Sequence, residues 1–127
     1  MSTLTHQELS GDIIGAAMKV LNALKPGLDE KIYENALTIE LVRRGRQVEQ
    51  QRPFDVFYEG KLVGRGVPDL IIDSLVVVDA KVVAAFTETH LAQMTGYLAL
   101  SDLSLAMLLN FKFARLEWRR VVRTKTS

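Results

Sequence analysis

Apolar positions recur along this chain at two spacings, and the spacing assigns most of its elements. Leu9, Ile13, Ala16 or Ala17, Val20 and Leu24 return every three or four residues, which predicts an amphipathic helix. Thr5-x-x-Glu8 reads as the capping box that opens it, and Lys25-Pro26-Gly27 stops it. A second helix is predicted from about Asp29, with Tyr33, Leu37 and Leu41 on a stripe headed by Glu30. Gly45 closes that helix behind Arg43 and Arg44, cations suited to the negative end of the dipole.

The period then changes to two. Across residues 47–58, Phe54, Val56 and Tyr58 alternate with Asp55 and Phe57, which predicts a strand; Glu59-Gly60 follows as a turn. Lys61-Leu62-Val63 leads into a second strand over residues 67–73, with Gly64 and Gly66 marking a bulge or a close approach. Asp73-Ser74 supplies a turn, and residues 75–83 form a third strand, near-continuously apolar and so expected to be buried on both faces. Residues 87–100 read as a third helix, with His90, Gln93 and Tyr97 on one face and Leu91, Met94 and Leu98 on another. Residues 103–111 and 114–122 read as two final strands.

The order α α β β β α β β predicts one α/β domain over residues 1–127, a mixed sheet flanked by helices. The helix between the third and fourth strands implies a right-handed crossover and a parallel strand pair.

Composition narrows the chemistry. The chain has no cysteine, which excludes disulfides, thiolate zinc sites and cysteine nucleophiles. Its two histidines, His6 and His90, do not support a histidine-rich metal centre, so any metal is expected to be a hard cation held by oxygen. His90, near a helix start, is expected to be a cap or surface residue. Net charge is only +1, but the basic residues are grouped. Arg43, Arg44, Arg46 and Arg52 form one set; Lys112, Arg115, Arg119, Arg120, Arg123 and Lys125 face only Glu117. Arg43, Arg44, Arg52 and Arg65 are candidates to meet phosphates, against the plainer reading of a solvated surface. The polar N-terminal residues are no signal peptide and no apolar run reaches membrane-spanning length, so the expected location is cytoplasmic.

The third strand carries Asp79 and Lys81 inside an apolar run. Strand side chains alternate, so the two point the same way, and Asp69 on the preceding strand can reach the same patch. Charges buried there require a partner or a metal. Asp69 and Asp79 are candidate ligands of a hard divalent cation, the Ala80 carbonyl a third, and Glu30 a further carboxylate from the second helix. Lys81 would assist an attacking water or hold a phosphate oxygen, and Gln93 would orient water or the lysine. Such a set suits phosphodiester hydrolysis, in which negative charge builds on the non-bridging and leaving oxygens. An ion pair without function competes with this reading.

Pro68-Asp69, nine intervening residues, then Asp79-Ala80-Lys81 resembles the signature of the PD-(D/E)xK nuclease superfamily. The segment Gly27-Leu28-Asp29-Glu30-Lys31-Ile32-Tyr33 resembles the opening motif of the small GxxExxY branch, and the likeness continues through Glu40-Leu41-x-x-x-Gly45, Gln93-x-x-x-Tyr97-Leu98 and Leu108-Leu109-Asn110-Phe111. The resemblance implies a restriction-endonuclease-like αβββαβ core. It also implies Glu30 as the first acidic motif residue, Asp69 and Asp79 as ligands of Mg²⁺ (or Mn²⁺), Lys81 as the catalytic lysine and Gln93 as the helix residue that follows. Asp79 stands where the branch usually has Glu, and Pro68-Asp69 where it usually has Ala-Asp.

The expected partner is DNA or RNA. A non-cleaving nucleic-acid-binding module and an accessory or oligomeric protein are the alternatives, the latter as a homodimer through Phe54, Val56 and Tyr58 if those stand exposed.

Overall fold

A computed structural model describes residues 6–123. Helices α1 (Gln7–Leu24) and α2 (Glu30–Arg43) come first. Five strands follow: β1 (Val48–Gln50), β2 (Phe54–Tyr58), β3 (Lys61–Gly66), β4 (Leu70–Ile72) and β5 (Val76–Lys81). Helix α3 (Glu88–Ser101), β6 (Leu105–Asn110) and β7 (Glu117–Val122) complete the chain. The main sheet has the order β1-β4-β5-β6-β7, while β2 and β3 form a separate two-stranded hairpin. All pairs are antiparallel except β5 with β6, which run parallel across the α3 crossover as the element order predicts.

Side chains leave the sheet on two faces and build two cores. Leu70, Ile72, Val76, Val78, Leu105, Met107 and Leu109 pack beneath α1 and α2, joined by Ile13, Leu37 and Leu41. Ile71, Val77, Ala106 and Leu108 pack beneath α3, against Met94 and Leu98. All of Val76–Ala80 is buried, as expected of a strand covered on both sides. Tyr33, fully buried, stacks on Phe111 at 4.8 Å, and its hydroxyl donates to the Lys25 carbonyl (2.5 Å) while accepting from the Leu28 N–H. It fastens the α1–α2 connection to the sheet.

Two predicted strands are divided. Residues 47–58 split into β1, in the main sheet, and β2, in the hairpin. Gln51 takes a left-handed conformation (φ 58°), and Pro53 offers no N–H to continue a ladder. The strand predicted over 67–73 begins only at Leu70, because Pro68 interrupts it, and Asp69 sits just before β4. The turn at Asp73-Ser74 stands, with both residues at positive φ (54° and 57°) and the Leu75 N–H donating to the Ile72 carbonyl across them. Gly66 marks a close approach by a helix rather than a ligand: a Cβ there would lie 2.5 Å from Leu100 Cδ1. The register of β2 on β3 shifts next to the Val56–Gly64 pair. Phe54 packs against the core beneath α3 and Val56 is half-buried, so of the proposed dimer face only Tyr58 stands clear. The capping box at Thr5 lies outside the described residues, as does Lys125. Among the described residues no helix is long and apolar enough to cross a membrane.

Candidate active site

Extending the β4–β5 register one residue beyond Leu70↔Val78 sets Asp69 opposite Asp79. Opposed residues share a face, here the α3 face that also carries Ile71 and Val77. The two strands are clasped there by their acids. Asp79 Oδ1 accepts from the Asp69 N–H, and Asp69 Oδ2 accepts from the Ala80 N–H, both at 2.9 Å. Each carboxylate keeps its other oxygen for the site. Because a strand residue points its N–H and C=O to the same side, the Ala80 carbonyl is directed toward Asp69.

Lys81, two residues on, projects from the same face. Its Nζ lies 3.7 Å from Asp79 Oδ2 and donates to Gln93 Oε1 of α3 at 3.2 Å. Gln93 Nε2 in turn donates to the Tyr97 hydroxyl (3.1 Å), which donates to the Val67 carbonyl (3.3 Å). Gln93 is thus fixed at both ends and holds the lysine beside the acids. Thr87 and His90 set the start of α3 through a reciprocal capping box, so His90 is the cap residue the sequence suggests.

The electrostatics are those of a strained pair. Asp79 is only 3% exposed. Burial, and then the charge of Asp69, push its pKa up to about 7, despite the Asp69 N–H and Lys81. Asp69 is also raised, mainly by burial. Burial and the two acid charges raise the Tyr97 hydroxyl too, which places it in the same field.

Helix α2 contributes an acid, but not Glu30. Glu30 lies exposed on the first turn. Glu34, one turn deeper and buried, faces the site: its Oε2 accepts from Lys31 Nζ (2.9 Å), Gln50 Nε2 (2.7 Å) and Gln51 Nε2 (3.0 Å). Gln51 also reaches Asp69 Oδ1 at 3.4 Å, and its own N–H donates to the Asp69 carbonyl. The strand break at Gln51 therefore links α2 to the acid pair. Helical spacing gives a residue's angle around the axis; it does not say which turn overlies the end of the sheet. The four residues from Glu30 to Glu34 are an advance of about 6 Å.

Of the proposed phosphate contacts, Arg44 is engaged by Glu40 and Asp12 (2.9 and 2.8 Å). Arg52 pairs with Glu49 and lies over the Phe54 ring, Arg65 pairs with Asp55, and Arg43 is exposed with no ion-pair partner among the described residues. None of the four joins the acid site.

Among the described residues no three acidic or histidine side chains come close enough to cage a metal ion. The oxygens at the end of the strands are instead the Asp69 and Asp79 carboxylates and the Ala80 carbonyl, with the Glu34 carboxylate set behind Gln51. That is the sparse set by which Mg²⁺ is commonly held, keeping waters and substrate oxygens in its remaining positions.

Two solved structures share this mixed sheet and its flanking helices. The crystal structure of SSO0001 matches with a TM-score of 0.60 at 18% identity, over 95% of this chain and 59% of that one. The alkaline exonuclease LHK-Exo from Laribacter hongkongensis matches with a TM-score of 0.54 at 10% identity, over 98% of this chain and 73% of that one. No curated protein sequence matches. The sequence profile of the PD-(D/E)XK nuclease superfamily matches residues 7–121, and the chain belongs to that superfamily.

Proposed function

We propose that the protein is a divalent-metal-dependent nuclease that hydrolyses phosphodiester bonds of DNA or RNA. One observation carries the reading: two carboxylates, Asp79 buried and Asp69 half-buried, face each other across adjacent strands and repel one another, with an ammonium beside them. Such a pair is costly to maintain for stability alone, because each charge is desolvated next to a like charge. A divalent cation relieves it. Asp69, Asp79 and the Ala80 carbonyl would hold Mg²⁺ (or Mn²⁺), which when bound supplies Lewis-acid stabilisation of phosphoryl oxygens and a more acidic water.

The chain's own groups then have separate tasks. Asp69 and Asp79 orient the donor oxygens, each fixed by a backbone N–H of the opposing strand. Lys81 Nζ, steadied by Gln93, stands where it can donate to the attacking water or to a non-bridging oxygen. Glu34, through Gln51, holds Asp69 in place and is the α2 carboxylate of the site in preference to Glu30.

Incubation of the pure protein with labelled single- and double-stranded DNA and RNA, with and without Mg²⁺ or Mn²⁺, tests the proposal. Cleavage should require metal and fall at least about 100-fold in both Asp79→Ala and Lys81→Ala, the scale of losing one transition-state contact. Cleavage that survives both substitutions contradicts it.

A further inference from the structure

Every residue of β6 is buried, and five of the six are apolar. The last, Asn110, is an amide with no exposed surface. A buried amide is costly unless it is hydrogen-bonded. Asn110 Oδ1 accepts from the Val83 N–H at 3.1 Å and from the Lys112 N–H at 3.2 Å. Its Nδ2 donates to the Val83 carbonyl at 2.8 Å and to Glu117 Oε1 at 3.1 Å. An amide side chain has two acceptor and two donor positions, so all four are filled. An apolar side chain would continue the packing of β6. What the amide adds is the tie to Val83.

That tie lies next to the lysine of the site. Asn110 stands opposite Lys81 in the β5–β6 register, and each is the last residue of its strand. The Phe111 N–H donates to the Lys81 carbonyl at 2.8 Å. Two residues further on, the Asn110 amide pairs with both the N–H and the carbonyl of Val83, as the backbone of a neighbouring strand does. Lys81 is therefore held at its own carbonyl and again just beyond it. A strand end without such a tie opens locally at low free energy. The same stretch of chain leads to α3. Residues 82–87 run from Lys81 to the Thr87 cap, and Gln93 of that helix accepts from the Lys81 ammonium. The Lys81–Gln93 bond thus closes a loop that Asn110 fastens near its start.

We propose that Asn110 is a positioning residue of the site: through Val83 it sets where Lys81 stands relative to Asp79 and Gln93. The proposal rests on the nuclease reading for what Lys81 does, but how Lys81 is held can be tested without cleavage. In the metal-free full chain, NMR reads the Lys81 Cε signal and the Gln93 side-chain amide. Two variants are compared with wild type: Asn110→Ala, and Asn110→Asp, which keeps the size and an acceptor oxygen but loses both donors. In each, the Lys81 signal should move toward its position in Gln93→Ala, and the Gln93 signal toward its position in Lys81→Ala. Backbone amides at the middle of β5 and β6 should stay in place, which a general loss of structure would not allow. With Mg²⁺ or Mn²⁺, kcat should fall about tenfold or more while KM stays within about twofold. In the Lys81→Ala background the same substitutions should cost nothing further, because Asn110 acts through that lysine. Unmoved signals in a folded variant, wild-type kcat, or a further loss on top of Lys81→Ala overturns the proposal. If the wild type cuts and a folded variant keeps both its kcat and its signals, the positioning role fails and the nuclease reading stands. If the wild type cuts nothing, the nuclease reading fails, and the two signals alone decide whether Asn110 places Lys81.

Discussion

Asp79 is the residue on which most of the proposed chemistry turns, and its environment gives a pH signature. In the unfolded chain it titrates near 4; in the fold it titrates at about 7. Between those values the folded state holds a proton that the unfolded state lacks, so metal-free stability falls as pH rises from about 4 to 7, by up to about 1.4 kcal/mol per pH unit. Asp79→Asn should remove much of that slope and raise the metal-free Tm at pH 8 by roughly 5 °C or more, read by calorimetry at pH 5 and pH 8. An equal slope in wild type and variant would contradict the repelling-pair account. The two α2 glutamates are separable in the same way. Glu34→Ala should lower cleavage at least about tenfold, the scale on which outer partners of a metal site act. Glu30→Ala should leave cleavage within about twofold, since that side chain stands clear of the site. Asp69, Asp79, Lys81 and Gln93 were legible from the sequence because strand alternation and helical spacing fix which side chains share a face. Glu34 and Gln51 were not. The first depends on how far the helix is slid along the sheet, the second on a left-handed backbone that no periodicity reports.

At the scale of elements, the sequence identifies the three helices and the parallel β5–β6 pair, because long periodic runs and the crossover rule are strong signals. It misplaces the divisions made by single prolines. Pro53 and Pro68 fall inside runs whose apolar alternation continues past them, yet each ends a ladder by lacking an N–H. The break before β4 has a consequence for function. It leaves the Asp69 N–H free to take the Asp79 carboxylate instead of a ladder carbonyl. Tyr33 illustrates an element held by a motif residue. Its ring packs on Phe111 and its hydroxyl ties the α1–α2 connection. Tyr33→Phe should therefore cost about 1 kcal/mol, lowering Tm by a few degrees, with cleavage by the folded fraction unchanged. Loss of cleavage at unchanged stability would assign this tyrosine to the chemistry instead.

For the whole molecule, two cores on either side of one sheet make a rigid frame, and the acids sit where the ladder between β4 and β5 gives out. The frame does not depend on metal, since both cores are apolar and complete within the chain. Chelator should abolish cleavage while leaving the far-ultraviolet circular dichroism unchanged. The basic residues fall into two sets. Arg44 and Arg46 bind Asp12, and Arg46 also binds Asp73, joining α1 and α2 to the β4–β5 turn; Arg115 and Arg119, at the far edge, have no ion-pair partner among the described residues. The most direct test of the acid pair as a cation site is isothermal titration calorimetry with Mg²⁺ and Mn²⁺ at pH 8, on wild type and Asp69→Ala. A saturable heat in the wild type that disappears in the variant is the predicted result. No saturable heat in the wild type, or the same heat in both proteins, would contradict it.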